Sequence, residues 1–230
     1  MEYRNLSERY CNLLQSIDKS AKDIFRQPEN ITLIAVSKTF PAEDIQALYN
    51  LGQRHFGENY IQEWIDKKFR LPENIVWHVI GDIQSNKTKD VAENADWVHT
   101  LSRLKIAQRL SNQRPANLPP LNVCVEINIS KQPQKHGIFI EDVEAFMQEI
   151  STLPNLKLRG LMCVPSDKNM QETENQMRIM SVCFNELKQQ FQLDTLSMGM
   201  SGDWKLAIKY GATHIRVGSA LFGARSYPAT

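Results

Sequence analysis

The chain has 230 residues and a formal net charge of +1, with 27 lysines and arginines against 26 aspartates and glutamates. This balance argues against a nucleic-acid partner, because proteins that hold phosphate backbones present a strongly basic surface. The first residues, "MEYRNLSERY", contain no apolar signal core, and no stretch approaches the roughly 18 apolar residues of a membrane span. We therefore expect a cytoplasmic protein that forms one domain over residues 1–230, with neither nucleic acid nor membrane as partner.

Cysteine and histidine usage indicates neither a disulfide framework nor a metal site. The cysteines form no close pair in the sequence, so we expect reduced thiols at Cys11, Cys124, Cys163 and Cys183. The five histidines occur at no metal-ligand spacing with acidic or thiol partners. No metal is therefore assigned.

Residues 2–25 are predicted to form a helix. Their apolar residues recur at spacings of three and four and would share one face: Leu6, Tyr10, Leu13, Leu14, Ile17, Ala21 and Ile24. Short apolar runs then predict eight buried strands, at residues 31–36, 54–57, 75–80, 96–99, 122–129, 157–164, 195–199 and 213–217. Helical stretches separate them, at residues 41–52, with Pro41 in the first turn, and at 59–69, 103–113, 141–150, 172–191 and 203–211.

Strands that alternate with helices predict a parallel α/β fold. Eight such units close a barrel that takes about 250 residues, sometimes near 200. We therefore predict a single (β/α)8 TIM barrel with an extra N-terminal helix, which would cover the outside near strand eight because only "SALFGARSYPAT" follows that strand. The linker-like "NQRPANLPPL" is interpreted as a surface loop, since each half of the chain alone would carry only four or five strands.

The loops after strands seven and eight have the composition of a phosphate site, which barrels of this kind often place there. In "SMGMSGDW", Gly199 and Gly202 let backbone amides approach a ligand, and Ser201 and Asp203 lie where a helix begins. In "RVGSALFG" a glycine and a hydroxyl again precede a possible helix start. Both loops together favour an anion site, although either one alone is equally compatible with a tight strand-to-helix turn.

Lys38 follows the first predicted strand in "ITLIAVSKTF", at the same rim as these two loops. A lysine amine there can lose its proton through desolvation and nearby positive charge, and can then condense with an aldehyde. The alternative is a rim lysine whose ammonium stays in water. Phosphate loops combined with an amine nucleophile favour pyridoxal 5'-phosphate (PLP), which carries both an aldehyde and a phosphate.

Arg216 refines this chemistry. The alternation in "THIRVG" places His214 and Arg216 on one strand face and Ile215 and Val217 on the other, so Arg216 can point into the barrel mouth. Arginine is not deprotonated in proteins. Beside a pyridine nitrogen it would oppose protonation of the ring and weaken the ring as an electron sink. The alternative is an ion pair with a phosphate or carboxylate at the rim.

Seven motifs are spread along nearly the whole chain: "ITLIAVSKTFPAEDI", "GQRHFGENYIQE", "WHVIGDIQSNK", "EINISKQPQKHGI", "LRGLMCVPS", "LSMGMSGDWKLAI" and "IRVGSALFGAR". In these motifs the sequence resembles the pyridoxal phosphate homeostasis protein family, whose barrel is similar to the amino-terminal domain of alanine racemase. The resemblance implies a PLP-binding barrel like that of PLP fold type III.

The resemblance also implies which residues hold the cofactor. The family's cofactor lysine matches Lys38, and the arginine near the pyridine nitrogen matches Arg216. The phosphate contacts match Ser201, Gly218 and Ser219, and Asn59 in "GENY" would lie near the face of the ring. The complete predicted cofactor-binding set is Lys38, Asn59, Met200, Ser201, Arg216, Gly218 and Ser219.

The chemistry of its residues alone only weakly explains the block "HVIGDIQSNK". Its polar residues either line the barrel mouth, serve a partner, or form a polar strand end followed by a helix cap: His78, Gln84, Asn86 and Lys87. The departures from the family pattern are Val79, where phenylalanine is more common, and the variable positions of Asp82 and His136. Charge runs such as "DKKFR" are interpreted as solvated helix faces.

These features predict a PLP-binding protein that holds the cofactor as a Schiff base on Lys38 and takes part in intracellular vitamin B6 homeostasis, buffering or supplying PLP. The expected partners are PLP and PLP-dependent apoenzymes, and the chain is expected to be a monomer.

No catalytic residue is assigned, because proton transfer on both faces of an α-carbon requires two positioned acid/base groups. Alanine racemase takes the second from a carboxyl-terminal domain for which "SALFGARSYPAT" leaves no room, and no sequence feature places Tyr60 or His78 as a substitute. The alternatives are a small PLP-dependent amino acid racemase and a phosphate-binding barrel enzyme that forms a Schiff base between Lys38 and a sugar.

Overall fold

In this computed structural model, which describes residues 2–223, parallel strands close into a barrel in chain order, and the last strand pairs back with the first. The strands are β1 (Thr32–Val36), β2 (His55–Glu58), β3 (Val76–Val79), β4 (Trp97–Leu101), β5 (Leu121–Ile127), β6 (Leu156–Cys163), β7 (Thr195–Ser197) and β8 (His214–Val217). Each predicted strand is confirmed within two residues at either end. The α/β barrel prediction is therefore confirmed.

The helices of the described residues are α1 (Glu2–Lys22), α2 (Ala42–Asn50), α3 (Ile61–Lys68), α4 (Thr88–Asn94), α5 (Leu104–Gln113), α6 (Val143–Ser151), α7 (Met170–Leu187), α8 (Trp204–Lys209) and α9 (Ser219–Phe222). The sequence pattern does not identify α4, because Val91 and Ala92 are the only apolar residues that it buries, too few for a helical period. Pro41 is the N-cap of α2, with an extended backbone, and does not lie in the first turn as predicted.

The amino-terminal helix α1 packs against α2, α8 and α9, and so covers the outside near strand eight, as predicted from the short segment that follows that strand. Arg9 fixes it there, since its guanidinium donates hydrogen bonds to the carbonyl oxygens of Leu221 at 2.6 Å and Phe222 at 3.0 Å. Leu14 was assigned to the buried face, but it is 40% exposed. At about 100° per residue it lies about 80° around the helix from Leu6, at the edge of the face. Residues 224–230 of the final segment lie outside the described residues.

The segment "NQRPANLPPL" connects α5 to β5 and is anchored by Arg114. This guanidinium donates hydrogen bonds to the carbonyl oxygens of Ala92, Ala95 and Pro119.

The four cysteines are free thiols, three of them buried, with Cys11 exposed. Within residues 2–223 no helix combines the length and apolar character needed to cross a membrane, and no group of three potential ligand side chains is arranged to hold a metal ion.

The inside of the barrel contains aromatic and imidazole rings where bulky aliphatic residues are usual. His78 stacks on Trp97 with ring centroids 5.5 Å apart, and His214 lies 5.2 Å from the same indole. His99 lies 5.1 Å from His78. All four side chains are buried. The barrel is therefore filled by a polar layer of rings.

Candidate functional site

A cavity of about 720 Å³ opens at the carboxyl-terminal ends of the strands. Its lining includes every residue of the predicted cofactor-binding set: Lys38, Asn59, Met200, Ser201, Arg216, Gly218 and Ser219. They come from β8 and from the segments that follow β1, β2, β7 and β8. The fold thus brings together residues that are up to 181 positions apart in the sequence, Lys38 and Ser219 being the extremes.

Ser201 joins the two loops that sequence analysis assigned to phosphate. Its hydroxyl oxygen accepts hydrogen bonds from the main-chain N–H groups of Gly218, at 3.3 Å, and Ala220, at 3.2 Å. The loop after β7 is therefore held against the first turn of α9. Hydroxyl and amide groups of both loops lie at one side of the cavity, which is the arrangement that an anion site requires.

The glycines of the loop after β7 have different roles. Gly199 has a φ of +96°, and a Cβ atom there would lie 2.5 Å from the Cβ of Ala207 in α8. Its position is thus explained by the tight turn and by close helix packing, which is the alternative left open from sequence. A Cβ atom on Gly202 would meet nothing within 4 Å. Asp203, the N-cap residue of α8, accepts from the N–H of Met200 at 2.6 Å and closes the turn.

The segment that carries Lys38 is held on both sides by a buried lysine. The Lys67 ammonium donates hydrogen bonds to the carbonyl oxygen of Ser37, at 3.1 Å, and to that of Phe40, at 3.2 Å. Lys67 belongs to the run "DKKFR", which was predicted to be solvated, and this prediction is wrong for Lys67, which is 7% exposed. The carbonyl groups that bracket Lys38 and the carboxylates nearby stabilise the ammonium inside the protein.

Two carboxylates complete this arrangement. Glu58 is buried, and its Oε1 accepts from Lys67 at 2.6 Å and from the Ser37 hydroxyl at 2.7 Å. Glu63 accepts from Lys67 at 2.8 Å and from the N–H of Thr39 at 2.8 Å. Thr39 has a left-handed φ of +68°, which a residue with a Cβ keeps only where its surroundings impose it. We call Glu58, Glu63 and Lys67 the Lys67 clamp.

Arg216 points into the barrel mouth, as the strand alternation predicts, and is 4% exposed. Its Nη1 donates to the Ser197 hydroxyl at 2.7 Å, and its Nη2 donates to the carbonyl oxygen of Cys163 at 3.0 Å. Burial lowers the pKa of the guanidinium from its ordinary value. Arginine nevertheless keeps its proton in proteins, so the group presents a positive charge and its other N–H donors to the cavity.

Two further polar groups face this cavity. Asn59 Oδ1 is buried and has no hydrogen-bond partner among the described residues, so it is an acceptor that a bound ligand can satisfy. Glu126, on β5, also lines the cavity, and burial raises the pKa of its carboxyl group. Sequence analysis missed Glu126, although a charged residue near the end of an apolar strand run is the same signal that singled out Lys38.

The polar residues of "HVIGDIQSNK" do not act together. His78 lies inside the barrel, so the prediction that it could line the mouth is wrong, whereas Gln84 and Lys87 line a neighbouring cavity of about 420 Å³ together with Tyr60. Asn86 is exposed. None of the four side chains caps a helix.

None of the departures from the family pattern lines the cavity that contains the cofactor-binding set. Val79 is buried in the core. Asp82 pairs with Arg103 at 2.7 Å, and His136 is exposed.

Comparisons with known proteins place the chain in a family. Residues 14–226 match the family model "Alanine racemase, N-terminal domain". The chain is 47% identical over 225 residues to the pyridoxal phosphate homeostasis protein of Escherichia coli (strain K12), covering 94% of this chain and 96% of that protein. It is 45% identical over 230 residues to the protein of the same name from Pseudomonas aeruginosa, covering 97% of each.

Solved structures give the same result. PipY of Synechococcus elongatus PCC7942, solved with PLP bound, is 36% identical with a TM-score of 0.81, and the match covers 95% of this chain and 100% of that chain. Alanine racemase from Corynebacterium glutamicum is 12% identical with a TM-score of 0.70, and the match covers 98% of this chain and 62% of that chain. The second likeness shows the fold alone, and confirms the expected likeness to the alanine racemase barrel.

Proposed function

Since this chain belongs to the pyridoxal phosphate homeostasis protein family, we propose that its cavity binds PLP as a Schiff base on Lys38 and that the protein takes part in PLP homeostasis without catalytic turnover. The observation that carries the proposal is the convergence, in one cavity, of an amine, a buried guanidinium and two hydroxyl-bearing loops: Lys38, Arg216, Ser201 and Ser219. PLP supplies an aldehyde, a phosphate and a pyridine ring.

The residues present fit that group. A cavity of about 720 Å³ is within the usual size of small-molecule sites. The Ser201 and Ser219 hydroxyls offer donors for phosphate oxygens, since the Ser201 oxygen accepts from the amides of Gly218 and Ala220 and keeps its own proton to donate. The buried Asn59 Oδ1 lacks a partner within the described part of the chain, and a ligand donor would satisfy it.

Lys38 is the proposed point of attachment. Its amine condenses with an aldehyde, forming a carbon–nitrogen double bond and releasing one water. The Lys67 clamp fixes the carbonyl groups on both sides of this residue, and so limits the positions that the amine can reach. Arg216 faces the same cavity from β8, where its permanent charge would keep a ring nitrogen unprotonated.

The absence of turnover is the finer part of the proposal. Two positioned acid/base groups are needed for proton exchange on both faces of an α-carbon. Tyr60 lines the neighbouring cavity and His78 is enclosed in the barrel, so neither supplies the second group. The charge of Arg216 further weakens a bound ring as an electron sink.

Glu126 supports a second candidate, the small amino acid racemase. It lines the same cavity as Lys38, and burial raises the pKa of its carboxyl group, a condition that favours a general acid. The non-catalytic proposal is preferred because Arg216 shares that cavity and opposes the electron sink which racemisation requires.

Titration with PLP tests the proposal. We expect a saturable absorbance band near the edge of the visible range that is absent in Lys38→Ala. Lys87→Ala, which changes a lysine of the neighbouring cavity, is the matched control and should behave like the parent. A parent protein without such a band, or a Lys38→Ala variant that keeps it, would contradict the proposal.

A further inference from the structure

Three histidines that the proposed function does not use form one hydrogen-bonded chain with Arg216. Arg216 Nη1 lies 2.7 Å from Ser197 Oγ, and Ser197 Oγ lies 2.8 Å from His99 Nδ1. His99 Nε2 lies 2.9 Å from His78 Nδ1. His78 Nε2 lies 2.9 Å from His55 Nδ1. The chain therefore runs through the barrel from the cavity to His55, the first residue of β2.

The arginine sets the direction of the first two hydrogen bonds. A guanidinium has donors only, so Ser197 Oγ accepts from Arg216. Among the described residues the hydrogen-bond partners of this hydroxyl are Arg216 and His99. Its single proton is therefore donated to His99 Nδ1. The opposite direction would leave a buried hydroxyl proton without an acceptor and would point a second donor at the side of the cation, both of which cost free energy.

The direction of the first hydrogen bond fixes the direction of each following bond between the rings. A neutral imidazole that accepts at Nδ1 carries its proton on Nε2, so His99 donates to His78, and His78 donates to His55 in the same way. The rings are neutral because burial holds the pKa of His78 and of His99 well below its ordinary value, and neighbouring imidazoles lower each further. The Nε2–H tautomer is thus fixed at all three histidines.

We propose that His55, His78 and His99 are positioning residues that form a hydrogen-bond relay of fixed polarity, holding Ser197 as an acceptor for Arg216. The relay ends on a group that does not release its proton, so it orients the arginine and does not conduct protons into the cavity.

The relay also determines what the arginine presents to a ligand. The hydrogen-bond acceptors of Arg216 within the described residues are the Ser197 hydroxyl and the Cys163 carbonyl, both neutral. No hydrogen-bonded carboxylate therefore neutralises the guanidinium among the described residues, and the nearby charges that act on it are those of Glu126 and Asp203. That this charge meets a pyridine nitrogen rests on the proposed function, whereas the polarity of the relay rests on the hydrogen-bond geometry alone.

Nitrogen NMR of the ligand-free protein with 15N-labelled histidine tests the polarity. We expect His55, His78 and His99 to be neutral at pH 7 with the proton on Nε2. A charged ring, or an Nδ1–H tautomer, at His78 or His99 would overturn the relay whether or not the protein binds PLP.

Variants test the positioning role. We expect Ser197→Ala to raise the PLP dissociation constant about threefold to tenfold, because Arg216 loses one positioning partner but keeps its hydrogen bond to the Cys163 carbonyl, and to shift the pH dependence of the bound absorbance band. Ser197→Thr restores the hydroxyl and should restore both. The control is His214→Phe, which changes a ring of the same layer that is hydrogen-bonded to Thr213 and lies outside the relay.

The outcomes separate the two proposals. If Ser197→Ala folds and binds PLP as the parent does, with an unchanged pH profile, the positioning role is wrong. If His214→Phe has the same effect as Ser197→Ala, the effect belongs to barrel packing and the positioning role is again wrong. If the parent does not bind PLP, the proposed function fails, while the tautomers measured in the ligand-free protein still decide the relay.

Discussion

The Lys67 ammonium lies 2.6 Å from the Glu58 carboxylate, and both side chains are buried beside the segment that carries Lys38. Burial of two charges is costly, and their mutual attraction compensates only when hydrogen bonds satisfy both groups. Lys67 meets this condition, because four oxygens surround its three N–H donors, two of them carbonyls that bracket Lys38. Glu58 meets it only at Oε1, since its Oε2 is buried with no hydrogen-bond partner among the described residues. The pair therefore couples the stability of the barrel to the geometry of the proposed attachment site.

Lys67→Met should lower the free energy of unfolding by about 3–5 kcal/mol, because it leaves the Glu58 carboxylate buried and unpaired. Urea denaturation measures this. The matched control is Arg70→Met, which breaks an exposed pair with Glu43 and should cost far less. Equal losses in the two variants would contradict a structural role for the clamp. If Lys67→Met still folds, its affinity for PLP should also be lower than that of the parent, because the turn at Lys38 has lost its anchor.

Acid should destabilise the protein through its buried histidines. Burial lowers the pKa of His214 to about 3, and lowers that of His78 and His99 well below the ordinary value. In the unfolded chain these groups bind protons near pH 6.5. The unfolded state thus binds more protons between about pH 3 and pH 6.5, so the free energy of unfolding falls on acidification, by up to about 1.4 kcal/mol per pH unit for each histidine.

Urea denaturation between about pH 5 and pH 7 checks this dependence. His214→Phe should reduce the slope of the free energy of unfolding against pH by the contribution of one histidine. His136→Gln, which changes an exposed histidine, should leave this slope unchanged. A parent stability that is constant or rises as the pH falls through this range would show that the ring layer does not stay neutral.

The sequence predicted what depends on local pattern. The strands follow from their apolar runs, and Lys38 and Arg216 are recognisable because a charged residue at the end of such a run calls for an explanation. The Lys67 clamp could not be predicted, because Lys67 lies in a charge run on a short helix and only the tertiary fold turns it inwards. The relay could not be predicted for the same reason. His55, His78 and His99 are on three different strands, and the register of these strands determines that the rings meet.

Ser201→Ala and Ser219→Ala should each weaken PLP binding by about tenfold to a hundredfold, since each loses one charge-assisted hydrogen bond worth roughly 1.5–3 kcal/mol while backbone amides persist. Fluorescence or absorbance titration measures this, and Ser151→Ala, which removes a hydroxyl at the end of α6, is the control.

A bulky residue at Gly218 should weaken PLP binding more than either serine substitution. Gly218→Ala should be mild, because its Cβ would meet Val36 no closer than 3.4 Å. Parent-like binding by Ser201→Ala, Ser219→Ala and the bulky variant would exclude a phosphate site in these loops.

Racemase, transaminase and decarboxylase turnover should not be detectable. The test is incubation of the PLP-loaded protein with each common amino acid in deuterium oxide, following chirality and α-proton exchange. Robust exchange that is lost in Lys38→Ala would overturn the non-catalytic proposal. Exchange that is lost in Glu126→Gln as well would identify Glu126 as the second acid/base group and favour the racemase.

The central claim is that PLP is attached to Lys38. Borohydride reduction of the PLP-loaded protein, followed by peptide mapping, measures the attachment site directly because reduction makes the bond permanent. The account predicts that the main adduct lies on Lys38 and that Lys38→Ala loses it while remaining folded. A main adduct on another lysine, such as Lys135, whose ammonium lies 3.4 Å from the carbonyl oxygen of Val164, would contradict it.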